Sequence, residues 1–158
     1  MASSYLDALA GNLRQLEMPG SANVMKSNGG MSSLGVAKEQ PIHMIESGPV
    51  GGVVGACAIG AEVGEPNLIT LDIGGTTAMP SLIEGAEVKV TTEYRIERDG
   101  RLPGYPVKIP VVDIVEIGAG RGSIAWIDEL GTLRVGPQSA GAVPGPACYE
   151  KGGRAPRP

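Results

Sequence analysis

The residues best placed to do chemistry are Asp72, Gly74, Gly75, Thr76 and Thr77, in the stretch Leu68-Ile-Thr-Leu-Asp-Ile-Gly-Gly-Thr-Thr77. An aspartate after a short apolar run is positioned to hold a hydrated divalent cation such as Mg²⁺. Two glycines remove two Cβ atoms and permit positive φ, so backbone N–H groups can approach an anion. Two threonine hydroxyls add donors. Together these make a phosphate cradle. The same residues also suit a tight β-hairpin with Gly-Gly at its apex and a solvated aspartate, and short glycine motifs often match by chance. Both readings stay open on local sequence.

The apolar approach from Leu68 reads as a buried strand, since Ile, Leu and Thr lie between turn signals. The stretch before it, from Ser47 to Gly64, reads as a helix. Ser47 suits a cap and Pro49 a first turn. Val50, Val53, Val54, Cys57, Ala58 and Ala61 form one apolar stripe, and Gly64 ends it. Gly48, Gly52 and Gly55 fall on another face, where a ligand or a second backbone would pack. Cys57, on the stripe, reads as inert packing.

Beyond the aspartate turn, Ala78 to Ile83 reads as a strand and 84–86 as a turn. Residues 88–97 alternate apolar and polar, which predicts one long strand with a wet face. The segment 98–104 is a polar loop, and Val107 to Ile117 a further strand region. Gly118-Ala-Gly-Arg-Gly-Ser123 follows, then a hairpin of 124–127 and 132–135 across 128–131. Upstream, leucines at 6, 9, 13 and 16 predict a helix over 4–18. Residues 22–26 suggest a short strand, and Ser27-Asn-Gly-Gly30 a sharp turn that could also present amides. The single histidine, His43, reads as a half-buried strand residue. The glycine- and proline-rich tail from Gly136 offers little to a core.

Several chemistries are excluded. One histidine cannot make a His-rich zinc site or H-E-x-x-H, and no G-x-S-x-G elbow accompanies it. None of the lysines follows a glycine, which removes a Walker loop. The 118–123 glycines lack the following helix and the acidic residue of a dinucleotide fold. The 158 residues carry a net charge of −4, no basic block and no phenylalanine, so a nucleic-acid surface is not expected. With 42% hydrophobic residues and a mean hydropathy of +0.05, the 25 glycines and 13 prolines suit turns of a folded domain. Two distant cysteines, 57 and 148, fit a reducing compartment. No membrane-length run or basic leader is present, so the expectation is a soluble cytoplasmic chain without membrane contact.

Five motifs extend the pattern: Met25-Lys-Ser-Asn-Gly-Gly30, Ser47-Gly-Pro-Val-Gly-Gly-Val-Val-Gly-Ala56, Asp72-Ile-Gly-Gly-Thr-Thr77, Gly118-Ala-Gly-Arg-Gly-Ser-Ile-Ala125 and Ser139-Ala-Gly-Ala-Val-Pro-Gly-Pro-Ala-Cys-Tyr149. Together they resemble the hydantoinase A/5-oxoprolinase family over about Tyr5 to Gly153. Residues 87–97 and 111–117 look nearest to its acetone-carboxylase-type members. The resemblance implies an α/β fold, part of one lobe of an actin-like, ribonuclease-H-like ATPase, with a mixed sheet and flanking helices. It implies a domain fragment over 1–153, with a disordered tail at 154–158.

The resemblance also implies ATP and Mg²⁺, with Asp72 holding the metal through water as the catalytic acidic residue. Gly74, Gly75, Thr76 and Thr77 would contact the β and γ phosphates, and Gly118, Gly120 and Gly122 would form a second backbone wall. Family chemistry opens lactam or hydantoin rings or carboxylates ketones, on small-molecule substrates. Family members begin upstream with another phosphate loop, so the implied partners are that missing N-terminal lobe or a companion hydantoinase-B-like subunit. The alternative is a non-catalytic, partner-binding subunit without ATP turnover. Three departures from the family pattern bear on it: Met79, Arg121, which could reach a phosphate or crowd the loop, and Val143.

Overall fold

The structure, a computed structural model, describes residues 2–96, 104–145, 147 and 150–153. Cys148, residues 98–103 of the polar loop and the 154–158 tail lie outside the described residues. The chain divides into two compact units, Met1–Leu68 with Ile83–Asp113, and Ile69–Leu82 with Ile114–Pro158. No helix among the described residues is long and apolar enough to cross a membrane.

The first unit opens with α1 (Ala2–Gln15), whose leucine stripe buries Leu6 fully. Next comes a hairpin of β1 (Asn23–Met25) and β2 (Met31–Ser33), paired Asn23↔Ser33 to Met25↔Met31. Its apex is the expected sharp turn: Gly29 sits at φ +83° and gives its amide to the Lys26 carbonyl at 3.0 Å, while Asn28 Oδ1 accepts from Gly30 N. A short helix absent from the sequence reading, α2 (Leu34–Glu39), starts at once. Its cap is Ser33, whose Oγ accepts from the Val36 amide at 3.4 Å. Lys38 of α2 pairs with Asp7 of α1.

His43 lies in a 3₁₀ turn, Pro41–Met44, where the sequence reading has a strand. Proline with its fixed φ and absent N–H starts such a turn well. Ser27, buried to 1% exposure, holds the turn by giving both its amide (2.7 Å) and its hydroxyl (2.8 Å) to the His43 carbonyl.

Helix α3 (Ser47–Val63) forms as the apolar spacing predicts and buries Val50, Val53 and Gly60. Its N-cap is Glu46, at φ 53° with no side-chain cap bond, rather than Ser47. Gly64 closes the other end in the left-handed conformation, at φ 78°. Gly60 allows a close approach, because a Cβ there would lie 2.6 Å from Leu68 Cδ1 and 2.7 Å from the Glu65 carbonyl oxygen. Gly48, Gly52 and Gly55 have nothing within 4 Å of a Cβ, so no backbone among the described residues packs on that face.

The long strand expected over 88–97 is instead three short ones with three different partners. β5 (Glu87–Val88) pairs with β4 (Ala78–Glu84), β6 (Val90–Thr91) with β9 (Val111–Val112), and β7 (Tyr94–Ile96) with β8 (Tyr105–Val107). Thr91 explains one break, since its hydroxyl accepts the Glu93 amide at 3.1 Å and bends the chain off the ladder. Pro110 likewise divides the region that reads as one strand from Val107 to Ile117, falling between β8 and β9.

In the second unit β3 (Leu68–Ile73) runs into β4 through a four-residue turn. From β4, Ala78 and Ser81 bridge Ile117 and Ile114 in antiparallel register. The hairpin of β10 (Ser123–Ile127) and β11 (Leu133–Ser139) matches the reading and extends it, β11 reaching four residues further than expected. Trp126 Nε1 donates to the Gly136 carbonyl at 2.8 Å and ties the start of that extension.

Two predictions follow from this architecture. Gly60→Ala is expected to destabilise the chain by about 1–3 kcal/mol, because an overpacked Cβ meets backbone. Gly55→Ala, in open space, is expected to stabilise it by roughly 0.5–1 kcal/mol through helix propensity. Urea unfolding of the two variants measures both. The second concerns Asp128, whose carboxyl is held below the ordinary 3.8 by the amide of Thr132, the Arg134 guanidinium and the amide of Leu130. Its contribution to the β10–β11 turn is therefore complete above that ordinary value and is lost as pH falls through the lower folded value. The Leu130 and Thr132 amide resonances should follow this acid transition in the wild type and show none of it in Asp128→Asn.

Candidate functional site: an amide-lined turn at 74–77

The turn joining β3 to β4 is both things its sequence suggests, a hairpin apex and a row of amides. Gly74 N donates to the Thr77 carbonyl at 2.9 Å and closes the turn. The other carbonyls point into a strap formed by 118–123. Arg121 N donates to Gly74 O (3.0 Å), Gly122 N to Gly75 O (2.6 Å) and Gly120 N to Thr76 O (3.1 Å). A trans peptide holds each carbonyl opposite the N–H of the next residue. The three carbonyls facing the strap thus turn the amides of Gly75, Thr76 and Thr77 to the opposite side. Among the described residues those amides meet no acceptor. Successive amides aimed one way form an anion-binding concavity.

The two glycine groups do different work. Gly120 and Gly122 are buried against the turn: a Cβ on Gly120 would fall 2.4 Å from the carbonyl carbon of Thr76, and one on Gly122 would fall 2.8 Å from Gly75 O. Their amides serve the turn, as the hydrogen bonds above record. Gly118 is exposed, and its carbonyl is approached by Gly136, where a Cβ would lie 2.0 Å away. Gly74 and Gly75, in contrast, are exposed, and neither adopts the left-handed backbone that the sequence suggests. A Cβ on Gly75 would meet nothing within 4 Å. Among the described residues the space in front of that glycine is open, and no side chain fills it.

Ser123, 1% exposed, is the residue sequence reasoning passed over. Its Oγ accepts from Gly120 N at 2.8 Å and lies 3.4 Å from Thr76 O and 3.5 Å from Gly118 O, so it staples strap to turn. Its place at the end of Gly-Arg-Gly-Ser was the available signal. Arg121 neither crowds the turn nor stands free, because Nε and Nη2 donate to the Ile73 carbonyl at 3.3 and 3.1 Å. Asp72 is exposed near the end of β3, one residue before that carbonyl. No group of three or more histidine, cysteine, aspartate or glutamate side chains forms a metal cluster among the described residues. Asp72 would offer a cation here one carboxylate, and water and ligand oxygens commonly complete the shell of Mg²⁺.

The Hydantoinase/oxoprolinase family profile matches residues 1–157. The chain belongs to the hydantoinase/oxoprolinase family. An uncharacterized protein of Methanocaldococcus jannaschii is 42% identical over 158 residues, covering 96% of this chain and 23% of that protein. The caprolactamase subunit alpha of Pseudomonas jessenii is 34% identical over 94% of this chain and 20% of its own length. The crystal structure of that ATP-dependent caprolactamase superposes with a TM-score of 0.76 at 33% identity, over 98% of this chain and 21% of that one. Nucleotide-free acetone carboxylase, an enzyme of ATP-dependent acetone carboxylation, gives a TM-score of 0.76 at 29% identity, over 99% and 21%. This hydantoinase/oxoprolinase-family chain thus spans about a fifth of the length of these relatives. Its mixed α/β fold, antiparallel sheets with flanking helices, is the one it shares with these ATP-dependent enzymes.

Gly122→Ala tests whether the strap holds the turn. Its Cβ would press on Gly75 O and Ser139 Oγ, and the amides of Gly120 and Arg121 should then exchange with solvent at least about tenfold faster through local opening. Gly118→Ala, with nothing within 4 Å of the new Cβ, should leave both unchanged.

Proposed function

We propose that this chain carries the second phosphate loop of an ATP-dependent hydantoinase/oxoprolinase-type enzyme, one that opens lactam or hydantoin rings or carboxylates ketones. The observation that carries the reading is the row of three unaccepted amides, Gly75, Thr76 and Thr77, beside the open space at Gly75. Gly74 contributes no free amide, but its missing Cβ keeps the approach clear. The threonine hydroxyls add donors to the same anion. Asp72 would hold Mg²⁺ through water. Gly118, Gly120 and Gly122 would act as the second wall only through their backbone, and the amides of the last two already serve the turn. ATP, when bound with Mg²⁺, supplies an activated phosphoryl group. What the chain's own residues supply is fixed dipoles at the developing charge, the largest contribution such sites make.

A single turn is half of a grip. The chain spans about a fifth or less of these relatives' length, and three carry subunit names: the alpha subunit of caprolactamase, the gamma subunit of acetophenone carboxylase and the beta subunit of acetone carboxylase. The partner we infer is the lobe bearing the first phosphate loop, with a hydantoinase-B-like subunit completing the enzyme around a small-molecule substrate. Exposed apolar side chains on β3 support a covering partner: Ile69 is 76% exposed and Leu71 60%. The setting is cytoplasmic.

Alone, the chain is expected to show little or no ATP hydrolysis. With a first-loop lobe added in trans, ATP–Mg²⁺ should bind measurably by calorimetry, and Asp72→Ala should weaken that binding by at least about tenfold, the loss of one charge-assisted contact to the hydrated metal. Absence of binding in the reconstituted pair would favour a partner-binding subunit without turnover. ATPase activity of the isolated chain that disappears in Asp72→Ala would overturn the expectation of inactivity.

A further inference from the structure

A second concave site lies wholly within the first unit, independent of the turn at 74–77. It has a volume of about 310 Å³, at the lower end of small-molecule pockets. The walls come from the β1–β2 hairpin, α2 and the 3₁₀ turn. Met31, Val36, Ala37 and Met44 give an apolar floor, and two of the four are methionines, whose unbranched side chains adapt to varied shapes.

The polar lining is Lys26, Ser32, Ser33, Gln40 and His43. No carboxylate lines the cavity, in a chain whose net charge is −4. The Lys26 ammonium pairs with no acid among the described residues, unlike Lys38, which pairs with Asp7, and Arg134, which pairs with Asp128. The Lys26 side chain runs across the Asn28-Gly29-Gly30 turn. Its Cε lies 3.2 Å from where a Gly30 Cβ would stand, so the glycine makes room for it. Ser33 Oγ accepts from the Val36 amide as a helix cap and keeps its own proton to give. Every charged or strongly donating group here therefore suits a negative ligand, while the floor suits hydrocarbon.

We propose that this cavity binds a small organic anion, a carboxylate on a short apolar body, with Lys26 taking the charge and the methionine floor taking the chain. A cation would face an ammonium with no counter-charge, and a fully polar ion would leave the floor unused. Charge-assisted hydrogen bonds are about twice as strong as neutral ones, so Lys26 is the residue on which affinity should depend most.

Hexanoate is a suitable probe, and His43 a clean reporter, since it is the only histidine of the 158 residues. In titrations of the whole chain, the His43 ring resonances and the methyl signals of Met31 and Met44 should shift together and saturate, with Kd on the order of millimolar. Hexanol at the same concentrations should shift the methyl signals weakly and acetate should shift neither set to saturation. Lys26→Met should weaken hexanoate at least about tenfold, while Lys26→Arg, which keeps the charge, should retain most of it. A wild-type response that stays linear in hexanoate, that hexanol reproduces, or that Lys26→Met leaves intact overturns the assignment. Because the wild-type titration needs no variant, a folding defect in Lys26→Met leaves that part of the test standing.

Discussion

Everything distinctive about the second unit depends on one set of backbone hydrogen bonds, those from residues 120–122 to the carbonyls of Gly74, Gly75 and Thr76. They fix the direction of three peptide planes at once. Carbonyls that would otherwise face solvent are satisfied from behind, and the amides on the other side of the same planes are left for something outside the protein. A free hairpin apex would sample several peptide orientations. A turn nailed along its carbonyl edge keeps one, and this is the preorganisation that anion sites need, because no reorientation remains when charge arrives.

The same constraint sorts the glycines. Gly120 and Gly122 are glycine because another stretch of backbone occupies the volume of their side chains, as at Gly60 in α3. Gly75 is glycine although nothing among the described residues crowds it and its φ does not require it. A residue type that brings flexibility without repaying it in packing or turn geometry costs stability, roughly 0.5–1 kcal/mol against alanine in regular structure. Room for an incoming group is a physical reason for keeping it. Gly120 and Gly122, by contrast, are accounted for by the fold alone.

How much of this was legible in the sequence follows from which interactions are local. Helix α3, the 27–30 turn and the β10–β11 hairpin are encoded by spacing and turn chemistry within a few residues, and each forms where the pattern places it. The strand expected at 88–97 fails because a strand is defined by its partners, and three different partners claim its three pieces. His43 fails similarly, since its 3₁₀ turn is held by Ser27, sixteen residues away. At the site, residue types announced a glycine turn rich in amides, but not which glycines face outward. That distinction rests on contacts between segments more than forty residues apart, and single-sequence periodicity carries no trace of them. Ser123 was passed over although two of its three partners are local, because a hydroxyl in a glycine-rich stretch looks like loop polarity until those partners are known.

The exposed faces bear on the same question from the other side. Helix α3 is apolar nearly all round, a composition that ordinarily belongs to a buried helix, yet Ile59 and Val63 are 63% and 67% exposed. β3 shows Ile69, Leu71 and Ile73 to solvent in alternation, whereas a strand with one wet face normally places polar residues there. Scattered apolar exposure is ordinary, but a whole strand face and a helix flank in one 158-residue chain are not. A nest of amides raises the same difficulty in polar form, since unmet donors and uncovered hydrocarbon are both costs of a surface made to be covered. Water satisfies the amides of Gly75, Thr76 and Thr77 and does nothing for Ile69 or Leu71. A macromolecular partner would relieve the apolar exposure and an anion would accept from the amides, and the proposed two-sided nucleotide grip would do both.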